Sequence, residues 1–402
     1  MPGFGTCSAL RSPGRGPRSE TMTTARSSCP KIVLTGGGTG GHVYPALAVA
    51  AAIERLAPRS ELLYIGGDRM EARIVPEAGI PFRAISVHGL AGGVPMGRRV
   101  RSLVELAMGL PLIQSLRILR SFRPDVVVGT GGYVSGPVLL AARLMGVPSA
   151  ALDGNRVPGH TSKIVSRLVD VMAVAHPEMA EFFAARVRRG ARVEVTGMPV
   201  RREVVALSRE AGAGMLGLDP ARLTLVILGG SLGSRRVNEA AAGALDELAK
   251  VDDLAGLQVV HVTGERYAAT TEGHRWPSFD CRVLAYAGPE ALAAADVVVS
   301  RAGASTVAEI TARGLAAVLV PWAAASTGEQ AMNAEPLGRA GGAVVIGDGE
   351  LTAEGLADVL ADILTDRERL RRMAEASKRL GRPDAAERVA EIALELAARG
   401  RG

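Results

Sequence analysis

Aromatic residues are scarce in this chain of 402 residues, at 3%. So few rings leave no stacking platform for single-stranded nucleic acid, and no nucleic-acid partner is expected. Cysteine is nearly missing: Cys7, Cys29 and Cys281 have no C-x-x-C or metal-ligand spacing. An odd, unpatterned count fits a reducing cytoplasm. No run reaches the roughly 18 apolar residues that a membrane helix needs. The longest candidate, Leu106 to Ile113, is short and follows Glu105. The chain also lacks any D-x-D triplet and any His/Cys/Asp cluster with ligand spacing. That disfavours a metal-dependent phosphoryl or glycosyl transfer, and neither a metal nor a cofactor is expected. Residues 1–30 hold four Arg and one Glu among many Gly, Pro and Ser but no apolar core segment, so they are no secretory signal. They read as a disordered leader, and Met22 would also serve as a start.

What is present is a folded composition, 48% hydrophobic and 22% charged, too long for one ordinary domain. Charge is unevenly spread. Residues 31–200 carry 20 Lys/Arg against 12 Asp/Glu, whereas the chain beyond residue 200 is net acidic. A basic first half suggests nucleic acid, an anionic membrane surface or a phosphate-bearing substrate.

Short β-branched runs alternate with alanine-rich amphipathic stretches. Expected strands are Lys31–Thr35, Leu62–Ile65, Ala84–Val87, Val126–Val128, Ser149–Leu152, Val171–Val174 and Val193–Thr196. A second series follows at Leu223–Leu228, Gln258–Thr263, Val283–Tyr286, Val297–Ser300, Ala317–Val320 and Ala343–Ile346. Apolar strands separated by helices indicate an α/β class with parallel sheets covered on both faces. Both series open with a strand, a glycine loop and a helix, "KIVLTGGGTGGHVYPALAVAAAI" and "LTLVILGGSLGSRRVNEAAAGAL", which favours two Rossmann-like domains facing each other. The expected division is 31–199, 200–380 and a C-terminal helix within 381–402 that packs back on the first domain. In that helix Val389, Ile392, Ala393 and Leu396 share one face.

Gly36, Gly38 and Gly41 satisfy G-x-G-x-x-G. A glycine loop feeding a helix presents free N–H groups at the positive end of the helix dipole, an anion site for any anion. The NAD form also needs an acid closing the second strand. Here that strand ends at Gly66-Gly67, with Asp68 displaced beyond it, which argues against NAD. His42 follows the loop. It either fills a gap or acts as a base, since the positive helix end disfavours its protonation. Two further loops, Gly129–Gly132 and Gly229–Gly233, would suit two phosphate-bearing ligands in one cleft. In "ADVVVSRAGASTVAEITARG", Thr306 and Glu309 have capping-box spacing. The same Glu309 could instead face a ligand's sugar hydroxyls.

The segments "GGGTGGHVYPALAVA", "RMEARIVPEAGIPF", "GTGGYVSGPVLLAARLMGVP", "GMPVR", "GGSLGSRRVN", "ADVVVSRAGASTVAEI" and "EQAMNA" occur in that order. Together they resemble the MurG family, cytoplasmic glycosyltransferases of bacterial peptidoglycan synthesis, over about residues 31 to 390. The resemblance implies a GT-B architecture, two Rossmann-like domains around a cleft. It implies inverting, metal-independent transfer of N-acetylglucosamine from UDP-GlcNAc to lipid I, making lipid II. By motif, Thr39, Gly40 and Gly41 would bind phosphates and His42 would be the base. Arg201 and Ser231 would contact the donor diphosphate, and Ala287 the uracil. Ala304, Ser305, Thr306, Val307, Ala308 and Glu309 would form the nucleotide-sugar loop, with Glu309 on the ribose. Gln330 and Asn333 would read GlcNAc hydroxyls and Asn155 would join the donor site, with Gly132, Tyr133 and Asp153 on the acceptor side.

The family's His-Glu-Gln-Asn is Leu152-Asp153-Gly154-Asn155 here, and its paired Gln is Glu329-Gln330. Both departures leave open a paralogue acting on another lipid-linked or natural-product acceptor. A UDP-GlcNAc 2-epimerase and a nucleotide-binding docking protein remain as alternatives. Residues 89–123 carry Arg98, Arg99, Arg101, Arg117, Arg120 and Arg123 among apolar residues. They read as a peripheral patch for anionic lipids on the cytoplasmic face of the cell membrane, or as a solvated basic helix.

Overall fold

The computed structural model describes residues 29–87, 98–230, 233–270, 276, 278–323 and 328–400, without the side chains of 98–108 and 268–270. The expected leader lies outside these residues except for Cys29 and Pro30. Among the described residues, strands β1 (Lys31–Thr35), β2 (Glu61–Gly66), β3 (Phe82–Ala84), β4 (Val126–Gly129), β5 (Ser149–Asp153), β6 (Val171–Val174) and β7 (Arg192–Val195) form one sheet. A second sheet holds β8 (Thr224–Leu228), β9 (Gln258–Val262), β10 (Asp280–Leu284), β11 (Val297–Ser300), β12 (Ala316–Leu319) and β13 (Ala343–Val345).

Every pairing is parallel. The strands are apolar on both faces because helices cover both. Ile32 and Leu34 enter one core layer and the intervening Val33 the opposite layer, the two-residue alternation that a strand imposes. The second sheet behaves alike, with Leu225 and Ile227 on one side and Val226 on the other. Two strands begin earlier than their apolar runs suggest. The β3 ladder is confined to Phe82–Ala84 because its partner β2 ends at Gly66. On β10, which lies at the sheet edge, Asp280 and Arg282 alternate with Cys281 and Val283, so hydrophobicity marks only its end.

Strand order is β3-β2-β1-β4-β5-β6-β7 in the first sheet and β10-β9-β8-β11-β12-β13 in the second. The direction of winding therefore reverses beside β1 and β4, and again beside β8 and β11. Such reversal points open a crevice at the carboxyl ends of the strands, where ligands of doubly wound sheets bind. The glycine loops after β1, β4 and β8 lie at these two points. From the first loop springs α1 (Gly40–Leu56). After it come α2 (Glu71–Glu77), α3 (Arg98–Phe122), α4 (Ser135–Met145) and α5 (His160–Val165).

The last helix, Ala385–Arg399, does not stay with the second sheet. Its residues Val389, Ile392, Ala393 and Leu396 are buried in the core that contains Ile32, Leu34 and α1. Burying each large side chain is worth about 1.5–3 kcal/mol, so the helix ties the chain's end to the first domain.

Candidate active site

The site begins in the first turn of α1. Thr39 is its N-cap, extended at φ −147°, and its carbonyl accepts the N–H groups of His42 at 3.1 Å and Val43 at 3.3 Å. The first helical amides, at Gly40 and Gly41, have no carbonyl one turn behind them and are free for an anion. His42 Nδ1 lies 3.1 Å from the carbonyl oxygen of Thr130, in the loop after β4. A carbonyl only accepts, so Nδ1 carries the proton and Nε2 is the ring's bare acceptor. Thr130 also donates its hydroxyl to the carbonyl of His42 at 2.7 Å, clamping ring and backbone from one residue. The second glycine loop has to be side-chain-free here. At Gly132, φ +77°, a Cβ would meet the Gly37 carbonyl oxygen at 2.2 Å, and at Gly131 one would meet His42 Nδ1 at 2.7 Å.

Burial lowers the His42 pKa from 6.5; the Thr130 carbonyl, Glu329 and Glu71 oppose that and do not reverse it. A neutral imidazole at pH 7 follows. The helix end was the expected cause of this lowering; burial of the ring is the leading cause here.

The opposing wall comes from the second sheet. After β11 the helix Ala304–Arg313 starts at N-cap Gly303, which has no side-chain cap. Thr306 and Glu309 therefore lie inside the helix and form no capping box, because the helix begins at Ala304, ahead of Thr306. That alternative is overturned. Glu309 is left to face Arg201, its Oε1 3.7 Å from the guanidinium. Burial raises the Glu309 pKa and Arg201 partly offsets it. Arg201 also lies over the Tyr44 ring at 4.5 Å, while its buried Nε has no hydrogen-bond partner.

Contacts across the crevice join the walls. Ser305 Oγ donates to the Gly41 carbonyl at 3.4 Å, so the first turns of two helices meet head to head. Tyr44 and Tyr286 bring their hydroxyls within 3.2 Å. Asn333, buried on the helix Glu329–Arg339, donates to Asn155 Oδ1 and to the Ala302 carbonyl, both at 3.3 Å. Its Oδ1 accepts from the Arg156 N–H at 3.3 Å. Ala308 packs against the first domain's core as well as its own.

His42, Thr39, Gly40, Gly41, Asn155, Arg201, Ser305, Glu309 and Asn333 thus line one crevice. Thr306 and Val307 share the first turns of the helix that carries Glu309, and Ala287 lies just before the helix Pro289–Ala294. Gln330 accepts from the Trp322 N–H at 3.0 Å. Tyr133 packs on Gly38, with Arg69 5.6 Å over its ring, and its buried hydroxyl has no partner. Asp153 is buried and turned into its own loop, accepting from the Asn155 N–H at 3.0 Å. Burial raises its pKa, with that N–H opposing. It shapes the loop that holds Asn155. Ser231 lies outside the described residues. Sequence reasoning passed over Thr130, Tyr44, Tyr286 and Glu71. Thr130 sits in the "GTGGY" stretch and Glu71 in "RMEAR", so position within a motif was the available signal. Among the described residues no group of three His, Cys, Asp or Glu is placed to hold a metal ion.

Known proteins resemble this chain over most of its length. The glycosyltransferase family 28 N-terminal domain matches residues 32–174, and the family 28 C-terminal domain matches residues 224–389. A UDP-N-acetylglucosamine--N-acetylmuramyl-(pentapeptide) pyrophosphoryl-undecaprenol N-acetylglucosamine transferase of Desulfitobacterium hafniense is 42% identical over 380 residues, covering 91% of this chain and 99% of the relative. The crystal structure of Acinetobacter baumannii MurG superposes with a TM-score of 0.68 at 27% identity, over 91% of this chain and 99% of that one. A UDP-N-acetylglucosamine 2-epimerase from Listeria monocytogenes has a TM-score of 0.62 at 15% identity, over 90% and 95% of the two chains. That last likeness shows the shared fold alone. With both family 28 domains matched in order, this chain belongs to the family of UDP-N-acetylglucosamine--N-acetylmuramyl-(pentapeptide) pyrophosphoryl-undecaprenol N-acetylglucosamine transferases.

Proposed function

We propose that this chain transfers N-acetylglucosamine from UDP-GlcNAc to a muramoyl-pentapeptide on undecaprenyl diphosphate, lipid I, making lipid II for peptidoglycan. The observation that carries this reading is the His42 ring, neutral and fixed by Thr130 with Nε2 as its acceptor. A sugar hydroxyl at Nε2 gives up its proton as it attacks the anomeric carbon opposite the leaving UDP, which inverts the centre. Charge growing on the diphosphate meets the N-terminus of the helix Ala304–Arg313 and the guanidinium of Arg201. No metal is required for that step. Two buried donors without partners, Arg201 Nε and Tyr133 Oη, support a diphosphate on the donor side and a polar acceptor beside the glycine loop. Glu309 then takes the ribose hydroxyls, Ala287 the uracil, Gln330 and Asn333 the GlcNAc hydroxyls, and Thr39 to Gly41 the phosphates. Ser231 joins Arg201 on the diphosphate.

Lipid I reaches the protein from a membrane. No described helix is long and apolar enough to cross one, so the reading is peripheral docking on the cytoplasmic face. Leu110 and Ile113 of α3 are 53% and 47% exposed, Leu144 of α4 63% and Ile164 of α5 65%. These neighbouring helices also bear Arg117, Arg120, Arg143 and Lys163. Apolar insertion plus charge on anionic lipid suits such a surface, each cation adding about 1 kcal/mol.

The test is to incubate the protein with UDP-GlcNAc and short-chain lipid I and weigh the glycolipid. The product is expected to gain one GlcNAc, with UDP released only when acceptor is present. UDP release without acceptor, or an unchanged glycolipid, would overturn the reading, the former in favour of epimerisation.

A further inference from the structure

Glu71 is a charged residue with 0% exposure. It stands first in the short helix α2, five residues after the last residue of β2, and the reaction proposed above makes no use of it. Its carboxylate reaches two loops at once. Oε1 accepts from the Gly67 N–H at 3.1 Å, at the end of β2, and Oε2 accepts from the Gly38 N–H at 3.2 Å, inside the first glycine loop. No described cation pairs with it. The backbone closes round it so tightly that a Cβ on Gly37 would lie 2.4 Å from Oε1, and one on Gly67 2.9 Å. Beside it, Tyr64 donates its hydroxyl to the Gly36 carbonyl at 3.0 Å. An unpaired buried carboxylate is costly unless hydrogen-bonded, so this one is held because the two loops that it joins need it.

We propose that Glu71 is a positioning residue for sugar transfer: it consumes the Gly38 N–H, sets the turn of the first glycine loop, and through that turn fixes where the His42 ring stands. The inference rests on the reading of His42 as the base. With Gly38 N–H satisfied internally, the amides from Thr39 onward are the ones offered to a ligand phosphate. The arrangement also explains the Gly66-Gly67 pair. In dinucleotide-binding folds an acid closes this strand and holds a ribose. Here the strand end is stripped of side chains so that an acid from the next helix can hold the loop itself. Gln could not replace it, since a carboxamide accepts at one atom only and would turn its N–H groups toward one of the two amides.

The experiment compares Glu71→Gln, Gly67→Ala and His42→Ala with the parent, following UDP release with UDP-GlcNAc and short-chain lipid I across pH. A misplacement of about 1 Å costs on the order of 10²-fold in rate. Glu71→Gln is therefore expected to lower kcat by about 30- to 100-fold with the KM for UDP-GlcNAc within about twofold, since that sugar nucleotide is held mainly by the second domain. The described charges acting on the His42 ring are Glu71 on α2 and Glu329 on the helix opposite. Both favour the protonated ring, so removing one moves the acid limb of the kcat/KM profile to lower pH. Gly67→Ala shifts the carboxylate without removing its charge, and is expected to lower kcat while the acid limb stays in place. It also decides the matter if Glu71→Gln does not fold. Parental kcat and acid limb in Glu71→Gln, or a loss matched in size by the fraction unfolded in both variants, would overturn the inference. His42→Ala keeps the two claims apart: if it remains active the base assignment fails, and if it alone is inactive only the role of Glu71 fails.

Discussion

Replacing His42 by Ala removes the group proposed to accept the proton beside the first glycine loop. The ring is held by a 3.1 Å bond from Nδ1 to Thr130 and lies against Gly131, where a Cβ would meet Nδ1 at 2.7 Å. A positioned general base contributes about 10²–10⁴-fold, or about 3–5 kcal/mol of barrier. The variant should lose that much kcat, while UDP-GlcNAc still protects it against heating, because Arg201, Glu309 and Asn333 are untouched. The pH dependence is the sharper assay. Burial holds the folded pKa below 6.5, so the parent's kcat/KM should be flat through pH 7 and fall only below about 6.5. The same depression makes the stability of the fold sensitive to acid. That stability is complete above the unfolded pKa and is lost as pH falls through the folded value, because the unfolded chain binds the proton more readily. The difference in melting temperature between parent and His42→Ala should therefore narrow or reverse on acidification from pH 7 to 5. A variant retaining more than a tenth of the parental kcat, or an acid limb centred above pH 6.5, would refute the assignment.

Three further outcomes are expected. Asn333→Ala removes three hydrogen bonds of about 1 kcal/mol each, two of them across the crevice, and should lower the melting temperature by several degrees while raising the KM for UDP-GlcNAc; no change in either would mean that the contact carries no weight in solution. Changing Leu110, Ile113 and Ile164 together to Ser should cut sedimentation with anionic vesicles at least tenfold, yet leave kcat on a water-soluble acceptor unchanged, since all three side chains are exposed. Adding EDTA should not slow the reaction, because helix N-terminus and Arg201 take up the leaving charge; restoration of a lost rate by Mg²⁺ would contradict that.

Much of the fold was legible because parallel strands buried on both faces carry uninterrupted apolar runs. Such a run as "KIVLT" needs no alternation to be seen. The edge strand β10 was read late for the opposite reason, its first residues being polar on alternate positions. The three glycine loops were visible, and so was His42, since a glycine loop before a helix is a local device. The capping box at Thr306 failed because its spacing fits several helix starts, and only the backbone turn at Gly303 says which is used. Glu71 was hidden: its two partners, Gly38 and Gly67, lie on separate loops, and nothing local distinguishes it from a surface acid at the start of a helix.

The order of strands, loops and helices, and the anion-binding character of each loop, follow from residues adjacent in sequence and were determined by the sequence alone. The neutrality of His42, the choice of Nε2 as its acceptor and the pairing of Arg201 with Glu309 were not. Each depends on groups tens to hundreds of residues apart being brought within about 4 Å, where burial and hydrogen-bond direction act, and only the packing of two domains across one crevice supplies that distance.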